Sequence, residues 1–285
     1  LGFIALVVVV AFAFDVVFHF GWWAVGFAAV FAIGASFVSY WNSDKVALAL
    51  SHAEPADPTQ YARLYNLIEG LCIASGLPQP KLYIVEDPAP NAFATGRDPR
   101  HASIAVTSGL LEKMNRVELE GVLAHELSHV KNYDILVSSI AVCLVGVVAA
   151  LSDFGIRMFI FGGTRRSDDN NGGNNPLTLI LAIVVIVLAP LMATIMQLAV
   201  SRRRESLADV SAVEMTRYPP GLISALEKLR DDRTVVRTSS RATAHLWIEE
   251  PMEHYQGDDQ KKSRWSHLFD THPPLEDRIA ALREM

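Results

Sequence analysis

His125-Glu126-Leu127-Ser128-His129 lies near the middle of this 285-residue chain, and the rest of the sequence is read outward from it. The stretch falls on a helix expected to begin after Asn115, with Val117, Val122, Leu123 and Leu127 as the apolar stripe that seats it in a core. Side chains four apart on a helix stand one above the other on a single face, so both imidazoles can reach one ion. Glu126 is turned about 100° from His125 by helix geometry and stands beside that ion rather than on it. Zinc takes nitrogen, sulfur or carboxylate donors in a tetrahedron, and catalytic sites keep three protein ligands and an open fourth place. The pattern therefore offers His125 and His129 as ligands of one Zn(2+) per chain and Glu126 as general base.

The third ligand separates the possible classes. A Gly at 132 and a His at 135 would extend the metal motif along the chain, but Asn132 and Ile135 stand there. A Glu on a later helix is the remaining common solution, and Arg204-Glu205-Ser206-Leu207-Ala208-Asp209 supplies it. Glu205 can ligate, and Asp209, one turn on, can accept a hydrogen bond from a ligating imidazole and fix its tautomer. Ala208 and Ala212 give this helix a small face suited to close packing.

Around these helices the segment 42–134 reads as α+β. Tyr61 to Ser75 carries Leu64, Leu67, Ile68 and Leu71 at helical spacing and closes at Gly76. Lys81 to Val85, Asn91 to Gly96 and Ala102 to Thr107 read as short strands, the last two flanking a turn at 97–100.

Composition places this domain at a membrane. Apolar residues make up 51% of the chain and mean hydropathy is +0.23, high for a wholly soluble protein. Residues 1–41 carry Asp15 and no Lys or Arg, enough apolar chain for two crossings of roughly 20 residues each. Residues 135–161 and 177–200 are long enough for two more, although Asp153 and Arg157 also fit a long hairpin buried partly against protein. The expected organisation is an N-terminal membrane hairpin (1–41), a first peptidase segment (42–134), a second hairpin (135–200) with a polar loop at 162–175, and a second peptidase segment (201–285). Lys45 and Arg202 to Arg204 put both peptidase segments on the cytoplasmic side, against which Arg165 and Arg166 argue. Lys113, Arg116, Glu118, Glu120, Lys131 and Asp134 crowd the motif and keep it out of lipid. Cys72 and Cys143 are poor disulfide partners, and a net charge of -6 without a basic stripe excludes nucleic acid as a partner.

Four motifs in one order, Asn91-Ala92-Phe93-Ala94-Thr95-Gly96, His125 to His129, Ser201 to Asp209 and Thr271-His272-Pro273-Pro274-Leu275-Glu276-Asp277-Arg278, resemble those of the M48 peptidases, and within them a bacterial membrane-protease branch. The resemblance covers nearly the whole chain. It implies a gluzincin-type zincin domain with about four transmembrane helices, in the bacterial inner membrane with the site facing the cytoplasm. It further implies an endopeptidase that degrades damaged or misfolded membrane proteins, with unfolded polypeptides and the bilayer as partners. By the same resemblance His272 steadies the oxyanion, Asn91, Ala92, Phe93 and Ala94 border the substrate cleft, and Arg278 contacts substrate or makes a structural ion pair. Ser206 departs from the aromatic residue that commonly follows the ligand Glu. A prenyl-protein endopeptidase of the same family and a catalytically silent zinc scaffold are the alternatives.

Overall fold

The computed structural model describes residues 22–140, 202–232, 234, 247–248 and 274–285. The chain divides into two compact units, Leu1–Asn42 with Cys143–Ile195 and Ser43–Val142 with Met196–Met285. Helix α1 (Trp22–Leu50) is kinked at Asn42, where φ is -121° and ψ 15°. Its first unit exposes Trp23, Val30, Ile33, Phe37 and Trp41. Among the described residues no helix is long and apolar enough to cross a membrane. Residues 1–21 and 141–200 of the expected hairpins, the loop 162–175 included, lie outside the described residues.

The second unit is a mixed α/β domain. After β1 (Glu54–Pro55) comes α2 (Ala62–Ser75), which buries Leu64, Leu67, Ile68, Leu71 and Cys72, the stripe its sequence spells. Gly76 ends it at φ 70°, in the left-handed region that glycine enters without steric cost, and its N–H satisfies the carbonyl of Cys72. Strands β2 (Lys81–Val85), β3 (Ala92–Gly96) and β4 (Ala102–Thr107) complete a sheet of order β1-β2-β4-β3. β2 and β4 run parallel, with Tyr83 opposite Ala105, and β3 pairs antiparallel with β4, with Phe93 opposite Ala105. The short helix α3 (Ser108–Lys113) leads into α4 (Arg116–Lys131).

α4 starts where its sequence dictates. Asn115 accepts from the backbone of Val117 and Glu118, and Glu118 returns the bond to the Asn115 N–H at 2.8 Å. The helix is buried on nearly all sides, from Leu119 through Leu127 and Val130. Val117 departs from the expected stripe: it is exposed, although Gly221, a residue with no side chain to cover it, passes beside it. α5 (Arg202–Thr216) packs on α4 through buried Ala208 and Ala212, and α6 (Pro219–Asp231) crosses it at Gly121. A Cβ on Gly121 would lie 2.8 Å from the Leu222 backbone nitrogen, so only glycine permits that approach. α7 (Leu275–Arg283) closes the unit and buries Arg278, Ile279 and Leu282.

Candidate metal centre

Two turns of α4 and one turn of α5 converge inside this core. The rings of His125 and His129 are near-perpendicular, at 88°, with centroids 4.8 Å apart, as the four-residue spacing requires. Their Nε2 atoms approach to 3.2 Å. Glu205 faces both, with Oε2 3.6 Å from His125 Nε2 and Oε1 3.5 Å from His129 Nε2. His125 and Glu205 are buried and His129 is partly open.

The outer nitrogens settle the tautomers. His125 Nδ1 lies 2.9 Å from Asp209 Oδ1, and His129 Nδ1 lies 3.1 Å from Asp134 Oδ2. A carboxylate can only accept, so each Nδ1 carries its proton and donates. Both Nε2 atoms then face one another and a carboxylate, with Arg278 Nη2 3.3 Å from that of His125, and a cation or a proton between them relieves the repulsion of the lone pairs. Metal–nitrogen bonds of about 2.0–2.1 Å in a tetrahedron require donor atoms about 3.3–3.4 Å apart; the two Nε2 atoms stand at 3.2 Å, and one atom from each of His125, His129 and Glu205 lies within 4.8 Å of the others. The donor set fits a zinc ion.

Electrostatics point the same way. Arg278, buried at the start of α7, forks onto Asp209 with Nη2 2.6 Å from Oδ1 and Nε 2.9 Å from Oδ2. Its Nη1 lies 3.8 Å from Glu205 Oε2, and Glu126 also helps hold its positive charge. Arg204 lies 3.6 Å from Asp134 Oδ1. Four buried carboxylates, Glu126, Asp134, Glu205 and Asp209, thus cluster with two guanidinium groups, an excess of negative charge that a divalent cation would neutralise. Burial opposes the Asp209 charge, but Arg278 and His125 overcome it and hold the carboxyl far below the usual carboxylate range. Burial and the Arg278 charge work against protonating His125. Asp209 and Glu205 outweigh them and lift the imidazole to about 9.

All the residues expected from the sequence except His272 fall among the described ones. His125, His129 and Glu205 come together, Glu126 is buried beside His125 on α4, and Asp209 stands behind His125. His272 lies outside the described residues. The side chains of Asn91, Ala92, Phe93 and Ala94 are buried, so a peptide could meet them only through the backbone. β3 is the last strand of the described sheet, and because the Thr107 N–H donates to Asn91 O, the backbone groups of Ala92, Ala94 and Gly96 turn away from β4. Ile248 N–H donates to Ala92 O at 3.0 Å, and Ser139 Oγ accepts from the Gly96 N–H at 3.1 Å. Arg278 binds Asp209 from a buried position, the ion-pair arm of its two readings. Ser206 is exposed, so the missing aromatic takes nothing from the metal side of α5. Asp134 was not singled out by sequence reasoning; its one signal is an acid just past the end of the motif helix.

Comparison with known proteins agrees with this geometry. Residues 58–285 match the family model described as Peptidase family M48. The chain is 46% identical over 259 residues to a "Protease HtpX homolog" of Tropheryma whipplei (strain Twist), covering 91% of this chain and 84% of the relative. It is 40% identical over 288 residues to another of the same description from Caldanaerobacter subterraneus subsp. tengcongensis, covering 99% and 93%. The crystal structure of S. mikatae Ste24p matches with a TM-score of 0.54 at 21% identity, over 89% of this chain and 57% of that one. That likeness is one of fold, and this chain spans little more than half of that protein.

Proposed function

This chain belongs to peptidase family M48 and is a metalloprotease, and from that premise we propose that it is a zinc-dependent endopeptidase anchored in the bacterial inner membrane, cleaving damaged or unfolded membrane proteins from the cytoplasmic side. The observation that carries the zinc assignment is the pair of opposed Nε2 lone pairs 3.2 Å apart, each fixed by a carboxylate behind it and both faced by Glu205. His125, His129 and Glu205 would hold the ion. When bound, zinc acts as a Lewis acid toward a peptide carbonyl and lowers the pKa of water.

The chain's own groups supply the rest. Glu126, one residue from a ligand and turned away from it, accepts a proton from water on its carboxylate and returns it to the departing amine. Its carboxylate is buried on α4, within the electrostatic reach of Arg278. The backbone of Ala94 on the edge of β3 is where an extended peptide would pair. His272 would donate to the developing oxyanion. The apolar side chains exposed on α1 and the apolar composition of 1–41 and 177–200 support the membrane assignment with about four spans.

The test is metal analysis joined to cleavage of an unfolded membrane protein by the full chain in detergent or liposomes. Glu126→Gln is expected to keep one zinc per chain and lose proteolysis. Undiminished cleavage by that variant would remove Glu126 from its role, and absence of zinc from the wild type would remove the metal.

A further inference from the structure

The two ligand imidazoles are supported in parallel but by different means. His125 is backed by Asp209 and Arg278, an acid one turn along α5 and an arginine from α7. His129 is backed by Asp134 and Arg204, and nothing in helical periodicity puts Asp134 there. On an uninterrupted helix a residue five positions on would be rotated by roughly 140° and displaced by about 7.5 Å, out of reach of the ring. The chain solves this with a break. α4 ends at Asn132, whose N–H still bonds Ser128 O at 2.9 Å, and Tyr133 takes a left-handed conformation with φ 61°. Tyr133 is exposed, so its strained backbone is not compensated by burial of its ring. The reversal carries Asp134 back to His129, where it is buried, with one oxygen on Nδ1 and the other toward Arg204.

Resting on the zinc reading above, we infer that Asp134 is a positioning residue of the metal centre: it fixes the Nδ1–H tautomer of His129, and Arg204 holds it in place. Arg204 precedes the ligand Glu205 directly, so the Asp134–Arg204 pair also ties the ligand-bearing turn of α5 to the end of α4. Asp134 lies just past the end of α4 and Arg204 in the first turn of α5, the two ends of the intervening segment. The pair therefore sets the spacing between the two sources of ligand whether or not a metal is bound.

The experiment measures Zn(2+) affinity of the full chain by chelator competition, together with thermal stability of the metal-free protein. Loss of a carboxylate behind a ligating His typically weakens metal binding by about 10–100-fold, the loss expected of Asp134→Ala. Asp134→Asn, whose amide oxygen still accepts from Nδ1–H, should recover most of it. Arg204→Met should weaken binding less, and adding it to Asp134→Ala should cost less than the two single losses together, because the two share a contact. Tyr133→Gly, which relieves the left-handed residue, should leave zinc affinity unchanged.

If Asp134→Ala and Asp134→Asn both bind zinc within about twofold of wild type, well short of the expected loss, the inference is wrong. It is equally wrong if they lower only the melting temperature of the metal-free protein, for then Asp134 is structural alone. A wild type that takes up no zinc would overturn the zinc reading and this inference together, an outcome distinct from the other two.

Discussion

Arg278 and Asp209 form a two-pronged ion pair behind the metal ligands, with contacts of 2.9 and 2.6 Å between buried side chains. Breaking a buried pair by removing one partner leaves an uncompensated charge and costs about 3–5 kcal/mol. Arg278→Met should lower the unfolding free energy of the metal-free protein by that order in urea titration. Pairing it with Asp209→Asn should recover a large part, since the stranded carboxylate goes with it. A single-variant loss below about 1 kcal/mol, the range of exposed pairs, would contradict the buried ion pair.

Zinc and a proton compete for His125 Nε2, because its Nδ1–H is committed to Asp209. With the metal-free imidazole raised to about 9, zinc affinity should climb roughly tenfold per pH unit from 7 and level off near that value. Chelator competition across this range checks it, and a flat profile between pH 7 and 9 would refute it. The sign for the metal-free fold is opposite. A raised folded pKa stabilises fully below the unfolded His value of about 6.5 and loses that contribution as pH rises through about 9. The melting temperature of the chelated protein should therefore fall across the same interval in which zinc affinity grows.

Two glycines on helices should respond oppositely to the same substitution. Gly121→Ala would press a methyl to 2.8 and 2.9 Å from the Leu222 backbone and push α6 off α4, costing about 1–3 kcal/mol. Gly70→Ala, on α2 with nothing within 4 Å, should instead stabilise by about 0.5–1 kcal/mol. Thermal denaturation of the two variants side by side tests the close crossing that seats the motif helix.

Glu118 should make the domain acid-sensitive. Burial works against its charge, but Lys228, the Asn115 N–H and Ser224 outweigh it and hold the carboxyl below its usual range. A depressed folded pKa contributes stability above the unfolded value and loses it as pH falls through the folded one. Glu118→Gln should flatten the acid limb of the stability curve and cost about 1–3 kcal/mol at neutral pH, toward the low end because Lys228 is half exposed. An unchanged acid limb would mean that other carboxylates set it.

The chemistry of the centre was legible in the sequence because its rules are local. Two His four residues apart must share a helix face, the Glu between them must stand to one side, and the acid a turn after Glu205 must lie on the same side as the ligand. The same locality marked the start of the motif helix at Asn115, the stripe of α2 and its closure at Gly76. What tertiary structure alone decided is how separate helices meet. It set the 3.5 and 3.6 Å approach of Glu205 to the two imidazoles and brought Arg278 onto Asp209. It turned the chain at Tyr133 so that Asp134 could reach His129, and it buried the side chains of Asn91 to Ala94, leaving only backbone at the sheet edge. Val117, apolar and in register with the core stripe, stayed exposed because exposure depends on which neighbour covers a turn, and that neighbour is encoded a hundred residues away. Helical period is written in adjacent residues; the partners of a side chain across a core are fixed only when the whole set of elements packs.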